Sequence, residues 1–172
     1  MADVLMTPRL EVRPLTAADV DAVFAVHSDP ETMAEVSWRI MTSRTQAEDR
    51  VAWELANEAD TGFGIFLIHQ GDTDVLVGVC GAMRRGDGLE VGWTVTKSFQ
   101  GRGCATEAAS ALVAAIEATS WPELFATIRP TNRASQRVAE KLGFALDAKV
   151  TDDHGDLLIY RRPAGQDRAG GH

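Results

Sequence analysis

Cysteine is scarce in this chain of 172 residues. Cys80 and Cys104 stand far apart and form no CxxC pair, which argues against a disulfide framework or a zinc ribbon and fits a reducing, cytoplasmic setting. Histidine is also sparse. His27, His69, His154 and His172 show no HExxH or comparable spacing, so no metal site is expected. Basic residues are outnumbered, 17 Lys+Arg against 25 Asp+Glu, for a formal net charge of -8. Such a field repels phosphate backbones and disfavours a nucleic-acid partner; it serves solubility or attracts a cationic partner. No segment approaches the roughly 18 apolar residues of a membrane span. The start, Met1 to Arg13, is interrupted by Asp3, Thr7, Pro8 and Arg9 where a secretory signal needs an unbroken apolar run. A soluble, unexported protein is expected.

What is present is ordinary for a folded domain: 45% apolar and 24% charged residues. The length fits one domain or at most two small ones, and no repeat or low-complexity linker divides it. One α/β domain over residues 1–163, with a frayed Gly-rich tail at 164–172, is the simplest account. Leu10 to Arg13 reads as a strand ended by Pro14. Thr16 with Asp19 forms a capping box, and Leu15 can staple onto Val20, opening a helix with Val20, Val23, Phe24 and His27 inward. Thr45 with Glu48 signals a second helix carrying Ala47, Val51 and Leu55. The stretch Ser28 to Ser43, which contains Trp38, reads as a loop. Phe63–His69 and Val75–Met83 pattern as strands buried on both faces. Leu89–Val95 completes a meander, with Leu89, Val91, Trp93 and Val95 on one face and Glu90, Gly92 and Thr94 on the other. An alanine-rich helix, a strand at Leu124–Ile128, a helix from Asn132 to Gly143 and a final β region to about Arg162 follow.

The most informative stretch is Lys97-Ser98-Phe99-Gln100-Gly101-Arg102-Gly103-Cys104-Ala105-Thr106. It joins a strand to a helix. Its glycines let backbone N–H groups converge, and the helix start adds about half a positive charge, the ingredients of a phosphate cradle. A glycine-rich turn that merely joins two elements is the plain alternative. No Gly-Lys-Ser/Thr follows, so it is not a Walker loop, and Thr106 stands where the dinucleotide fingerprint needs glycine or alanine.

Gln100-x-x-Gly103-x-Ala105 resembles the Gln/Arg-x-x-Gly-x-Gly/Ala motif of the GNAT superfamily of N-acetyltransferases. Asn132-Arg133-Ala134-Ser135 through Lys141-Leu142-Gly143-Phe144, the strand Leu89-Glu90-Val91-Gly92-Trp93, and the opening Thr7-Pro8-Arg9-Leu10 with Arg13-Pro14-Leu15 resemble the RimJ/RimL-like branch. The likeness runs over about residues 7 to 162. It implies a single GNAT-like domain whose central, mostly antiparallel twisted sheet contains splayed parallel strands. The implied reaction is direct transfer of the acetyl group of acetyl-CoA, without a metal, to a primary amine. That amine is a protein N-terminal α-amine or a small amino compound such as an amino-bearing antibiotic. By the same likeness, backbone groups of Trp93, Thr94 and Val95 receive the pantetheine arm as an added strand. The amides of Gly101, Arg102, Gly103, Cys104, Ala105 and Thr106, behind Gln100, take the pyrophosphate, and Asn132 bonds the pantetheine region.

The chemistry assigns further roles. An attacking amine must be neutral, whereas a lysine-type amine has a pKa near ~10.4 and an N-terminal amine near ~8. Glu90 is the candidate base, acting through water; Glu54 and Asp49 are secondary candidates. The Val95 N–H is the candidate donor to the developing oxyanion. Relatives place a tyrosine seven residues after the asparagine to protonate the thiolate, but here that residue is Ala139. Ser135 is the available hydroxyl, and the single tyrosine, Tyr160, is read as structural. Cys104 is read as a small residue in the cradle rather than a nucleophile, and Cys80 as core. Trp38, and more weakly Trp53, are candidates for the acceptor pocket, which must come from Val20 to Ala59 or from a partner subunit. The sequence is compatible with a homodimer. A non-catalytic acyl-CoA-binding or ligand-sequestering module is the alternative from another functional class.

Overall fold

A computed structural model describes residues 2–163 of the chain; the proposed tail at 164–172 lies outside them. Eight strands form one sheet: β1 (Leu5–Met6), β2 (Leu10–Pro14), β3 (Ile65–Gln70), β4 (Leu76–Arg85), β5 (Gly88–Val95), β6 (Glu123–Ile128), β7 (Ala145–Asp152) and β8 (Gly155–Pro163). Their spatial order is β1-β2-β3-β4-β5-β6-β8-β7. Every neighbouring pair is antiparallel except β5 with β6. The helices are α1 (Val20–Ser28), α2 (Arg44–Thr61), α3 (Cys104–Glu117) and α4 (Arg133–Lys141).

The continuous apolar run of β3, Ile65 to Ile68, explains why the sheet is covered on both faces. Phe66 and Ile68 point into one cluster with Ala108, Leu112 and Ile116 of α3 and Ala139 of α4. Ile65 and Leu67 point into another with Val23 and Val26 of α1 and Ala47 and Val51 of α2. Each fully buried Leu or Ile here stabilises the fold by roughly 1.5–3 kcal/mol relative to its exposure. Thr16 and Asp19 do form the expected capping box, and Asp19 also receives both guanidinium nitrogens of Arg13, at 2.9 and 2.7 Å. Leu15 and Val20 share the second cluster.

Three sequence readings need correction. The box that opens α2 is Ser43 with Gln46, not Thr45 with Glu48. Gln46 Oε1 accepts the Ser43 N–H at 3.2 Å, so the helix starts one residue before Thr45. The stretch read as a loop holds a 3₁₀ helix, Ala34–Arg39, kinked at Val36. The final β region is two strands, β7 and β8, paired as a hairpin.

Candidate functional site

The parallel pair at the middle of the sheet is brief. β5 and β6 are in register only at Leu89 with Leu124 and Glu90 with Phe125. Beyond these positions β5 continues with β4 as far as Val95 opposite Gly78, while β6 stays with β8 to Ile128. The two strands therefore part. Thr96 N–H donates to Val77 O at 2.9 Å, which sets the antiparallel alternation: Thr94 and Thr96 turn their backbone groups to β4, and Trp93 and Val95 turn theirs towards the gap. The Val95 carbonyl accepts the Gln100 side-chain amide at 3.0 Å. Its N–H stands on the same open edge.

After β5 the chain makes a short 3₁₀ turn, Lys97–Phe99, and reaches the glycine loop. Gly101 and Gly103 have φ of 75° and 79°, a left-handed backbone that glycine adopts without steric cost. Gly103 is the N-cap of α3, whose run of alanines has high helix propensity. The first helical bond there is Glu107 N–H to Gly103 O at 3.0 Å. The amides of Gly103, Cys104, Ala105 and Thr106 are thus the orphan donors of a helix start, and they face an exposed loop. Cys104 itself is 5% exposed and packs its side chain into the main core, so its sulfur does not face the loop. Burial pushes the Cys80 thiol up to about 12, and that sulfur is inert.

Across the gap, Asn132 caps α4 by accepting the Ser135 N–H at 3.0 Å. The Ser135 hydroxyl accepts the Trp93 indole N–H at 3.3 Å. This bond joins α4 to β5 where β5 and β6 have separated, and it leaves the serine O–H proton to donate elsewhere. Ala139 is fully buried, and Tyr160 is 3% exposed in the same core.

The face of β5 opposite α3 carries Gly92, which has no atom within 4 Å of where a Cβ would stand. Gly92 is paired with Gly81, and together they make a bare floor. Carboxylates flank it. Glu90 accepts the Thr127 hydroxyl at 2.5 Å and the Arg85 guanidinium at 3.2 Å, one on each oxygen. Glu54 is 2% exposed, and Arg50 meets it at one oxygen, Oε1. Its backbone oxygen abuts Gly64, whose carbonyl in turn abuts Gly81. Burial, offset in part by Arg50 and Arg85, raises the Glu54 carboxyl above its ordinary value. Asp49 lies exposed on α2.

Trp38 is 40% exposed and stacks on His154 of the β7–β8 turn, with centroids 4.4 Å apart and planes 11° from parallel. The Arg129 guanidinium lies 4.8 Å from the Trp38 ring centre and is fixed by two bonds to Asp152, at 2.9 and 2.6 Å. Those bonds, with the His154 N–H, hold the Asp152 carboxyl down at about 2. Glu35 accepts the Thr131 hydroxyl at 2.7 Å, and Thr32 accepts the Lys97 N–H at 3.0 Å. The segment between α1 and α2 is therefore a strap tied to the far hairpin and to the end of β5. Trp53 is instead exposed on α2 beside Arg50. Sequence reasoning missed Arg129, Asp152 and Thr127, because their partners are distant in the chain and no local motif marks them.

The Acetyltransferase (GNAT) domain model matches residues 9–145. The chain is similar to the YkkB protein of Bacillus subtilis (strain 168), with 27% identity over 164 residues, 92% of this chain and 94% of that one. An acetyltransferase structure from Agrobacterium tumefaciens str. C58 superposes with a TM-score of 0.80 at 31% identity, covering 94% of this chain and 95% of that chain. The fold is shared with RimL, the ribosomal L7/L12 alpha-N-protein acetyltransferase in complex with coenzyme A, at a TM-score of 0.82 and 18% identity, over 94% and 98% of the two chains. No group of three or more metal-binding side chains occurs among the described residues, and none of their helices is long and apolar enough to cross a membrane. A split sheet edge, a glycine cradle at a helix start and the family match converge on one conclusion: the chain belongs to the GNAT family of acetyltransferases.

Proposed function

We propose that this protein moves the acetyl group of acetyl-CoA directly onto a primary amine, with both substrates bound together. The observation that carries the reading is the β5–β6 gap, whose outward Trp93 and Val95 backbone groups lead straight to the orphan amides of Gly103 to Thr106. A pantetheine arm can pair with that edge as an extra strand, and a pyrophosphate suits the helix start. The thioester then lies near Val95, whose N–H would stabilise the oxyanion formed as the amine nitrogen attacks the carbonyl carbon. As the C–S bond breaks, Ser135, already accepting from Trp93, would donate its proton to the sulfur. Asn132, with its oxygen engaged in capping, offers its NH2 group to the pantetheine amides.

The acceptor amine would cross the Gly92 floor under the strap that carries Trp38. Glu90 lies on the donor strand and would draw the amine proton through water. The burial of Glu54 favours a second reading for this step, because desolvation raises its carboxyl above the ordinary value and makes it a stronger base. A protein N-terminal α-amine is the acceptor class we favour. It is the amine type that is partly neutral at physiological pH, and RimL, which shares the fold, is named for that reaction.

Incubation with acetyl-CoA and panels of N-terminal peptides and small amino compounds, followed by free thiol release, tests the proposal. Turnover on peptide N-termini is expected. Donor binding without turnover on any amine would instead identify an acyl-CoA-binding module.

A further inference from the structure

The opening Thr7-Pro8-Arg9 segment is far from the glycine loop in sequence but is bonded to it. Arg9 Nη1 donates to the Arg102 carbonyl at 2.9 Å, and Arg9 Nε donates to Glu107 Oε2 at 2.7 Å. The other Glu107 oxygen accepts the Arg9 N–H at 2.9 Å and the Thr7 hydroxyl at 2.6 Å. Arg9 Nη2 lies 3.3 Å from the position a Cβ would take on Gly103, so the guanidinium covers the bare Cα of the residue that caps α3. The Arg9 carbonyl is itself anchored by the Gly71 N–H at 2.8 Å.

Two physical consequences meet here. Glu107 stands in the first turn of α3, where a carboxylate competes with a bound phosphate for the positive end of the helix. An arginine on that carboxylate cancels the competition. The bond to Arg102 O also fixes the peptide between two left-handed glycines, the most freely rotating part of the cradle. Burial pushes the Glu107 carboxyl up, but the bonds from Thr7 and Arg9 outweigh it and hold the group below its ordinary value, so it stays anionic.

We infer that Arg9 is a positioning residue for the donor. Held by Glu107, it sets the conformation of the Gly101–Gly103 loop and neutralises the one carboxylate of the helix start, leaving the backbone amides to take the coenzyme pyrophosphate in a protein of net charge -8. This rests on the acetyl-CoA reading of the cradle. It concerns the diphosphate end of the donor and not the thioester end.

The test compares acetyl-CoA with acetyl-pantetheine, which carries the same thioester without the pyrophosphate. Arg9→Ala is expected to raise KM for acetyl-CoA about tenfold or more, with kcat within about twofold, and to leave KM for acetyl-pantetheine within about twofold; these magnitudes follow from the loss of one charge-assisted contact. Arg9→Lys, which keeps the charge but not the two-pronged contact, should recover part of the loss. Titration of CoA itself should show the same weakening without any acceptor. Equal loss with both donors would reveal a general folding defect and overturn the inference, as would an unchanged KM for acetyl-CoA. Failure of the wild-type protein to bind CoA at all would overturn the acetyl-CoA reading instead.

Discussion

Two carboxylates flank the Gly92 floor, and they differ in what surrounds them. Glu90 has a hydrogen-bond donor on each oxygen; Glu54 is buried, with its bonds from Arg50 on one oxygen. A base must be ionised to act. Because burial raises the Glu54 carboxyl above the ordinary 4.5, its basic form is lost on acidification earlier than that of a free carboxylate. The acid limb of the pH–rate profile is therefore expected above pH 4.5 if Glu54 takes the proton. On that reading Glu54→Gln should remove the limb and lower kcat by about ten- to a hundredfold, within the range for general base catalysis, while Glu90→Gln, removing a residue already bonded to Arg85 and Thr127, should cost less than about tenfold and keep the limb. Steady-state profiles of both variants decide between them, and the reverse pattern would return the role to Glu90. Sequence could nominate both residues, since each is a carboxylate on an element near the donor strand. It could not rank them, because burial and partners come from residues far away in the chain.

At the scale of elements, the gap between β5 and β6 depends on how tightly β5 is held by β4. Gly78 pairs with Val95, and a Cβ there would sit 2.2 Å from Thr94 O and 2.9 Å from Val95 Cα. Those are backbone atoms, so nothing can swing aside. Gly78→Ala is expected to force the strands apart at the donor edge and to cost about 1–3 kcal/mol, lowering Tm by roughly 2–12 °C together with donor affinity. Thermal unfolding and CoA titration measure both; an unchanged Tm would show that β5 is held by other contacts. The strands, the glycine loop and helices α1, α3 and α4 were legible because each carries a local signal: alternation, a capping residue, or the change from period two to helical spacing. The start of α2 was misread because Ser43-Gln46 and Thr45-Glu48 present overlapping boxes. The 3₁₀ helix of the strap was missed because its ties, Trp38 to His154 and Glu35 to Thr131, are tertiary.

For the whole molecule, the net charge of -8 sets opposite demands on the two substrates. The donor is polyanionic and, on the proposed reading, is held by a local concentration of backbone donors whose loop Arg9 fixes; the acceptor amine is a cation before it loses its proton. Long-range attraction of the acceptor is screened by salt, with a Debye length of about 10 Å at 0.1 M and about 3 Å at 1 M. The acceptor KM is therefore expected to rise several-fold between 0.05 and 0.5 M salt, a span estimated from the same screening. Initial rates at saturating donor measure it, and a flat response would leave the acidic excess as a solubility feature. Sequence by itself determined the fold class, the glycine loop at a helix start and the family likeness, since periodicity, glycine placement and short motifs are written within a few residues of one another. The tertiary structure decided what converges: Arg9 on the cradle, Ser135 on Trp93, Glu54 beside the glycine floor, and the strap closed against the far hairpin. These contacts join residues separated by tens of positions, and the burial that gives them their chemistry exists only after the sheet has brought them together.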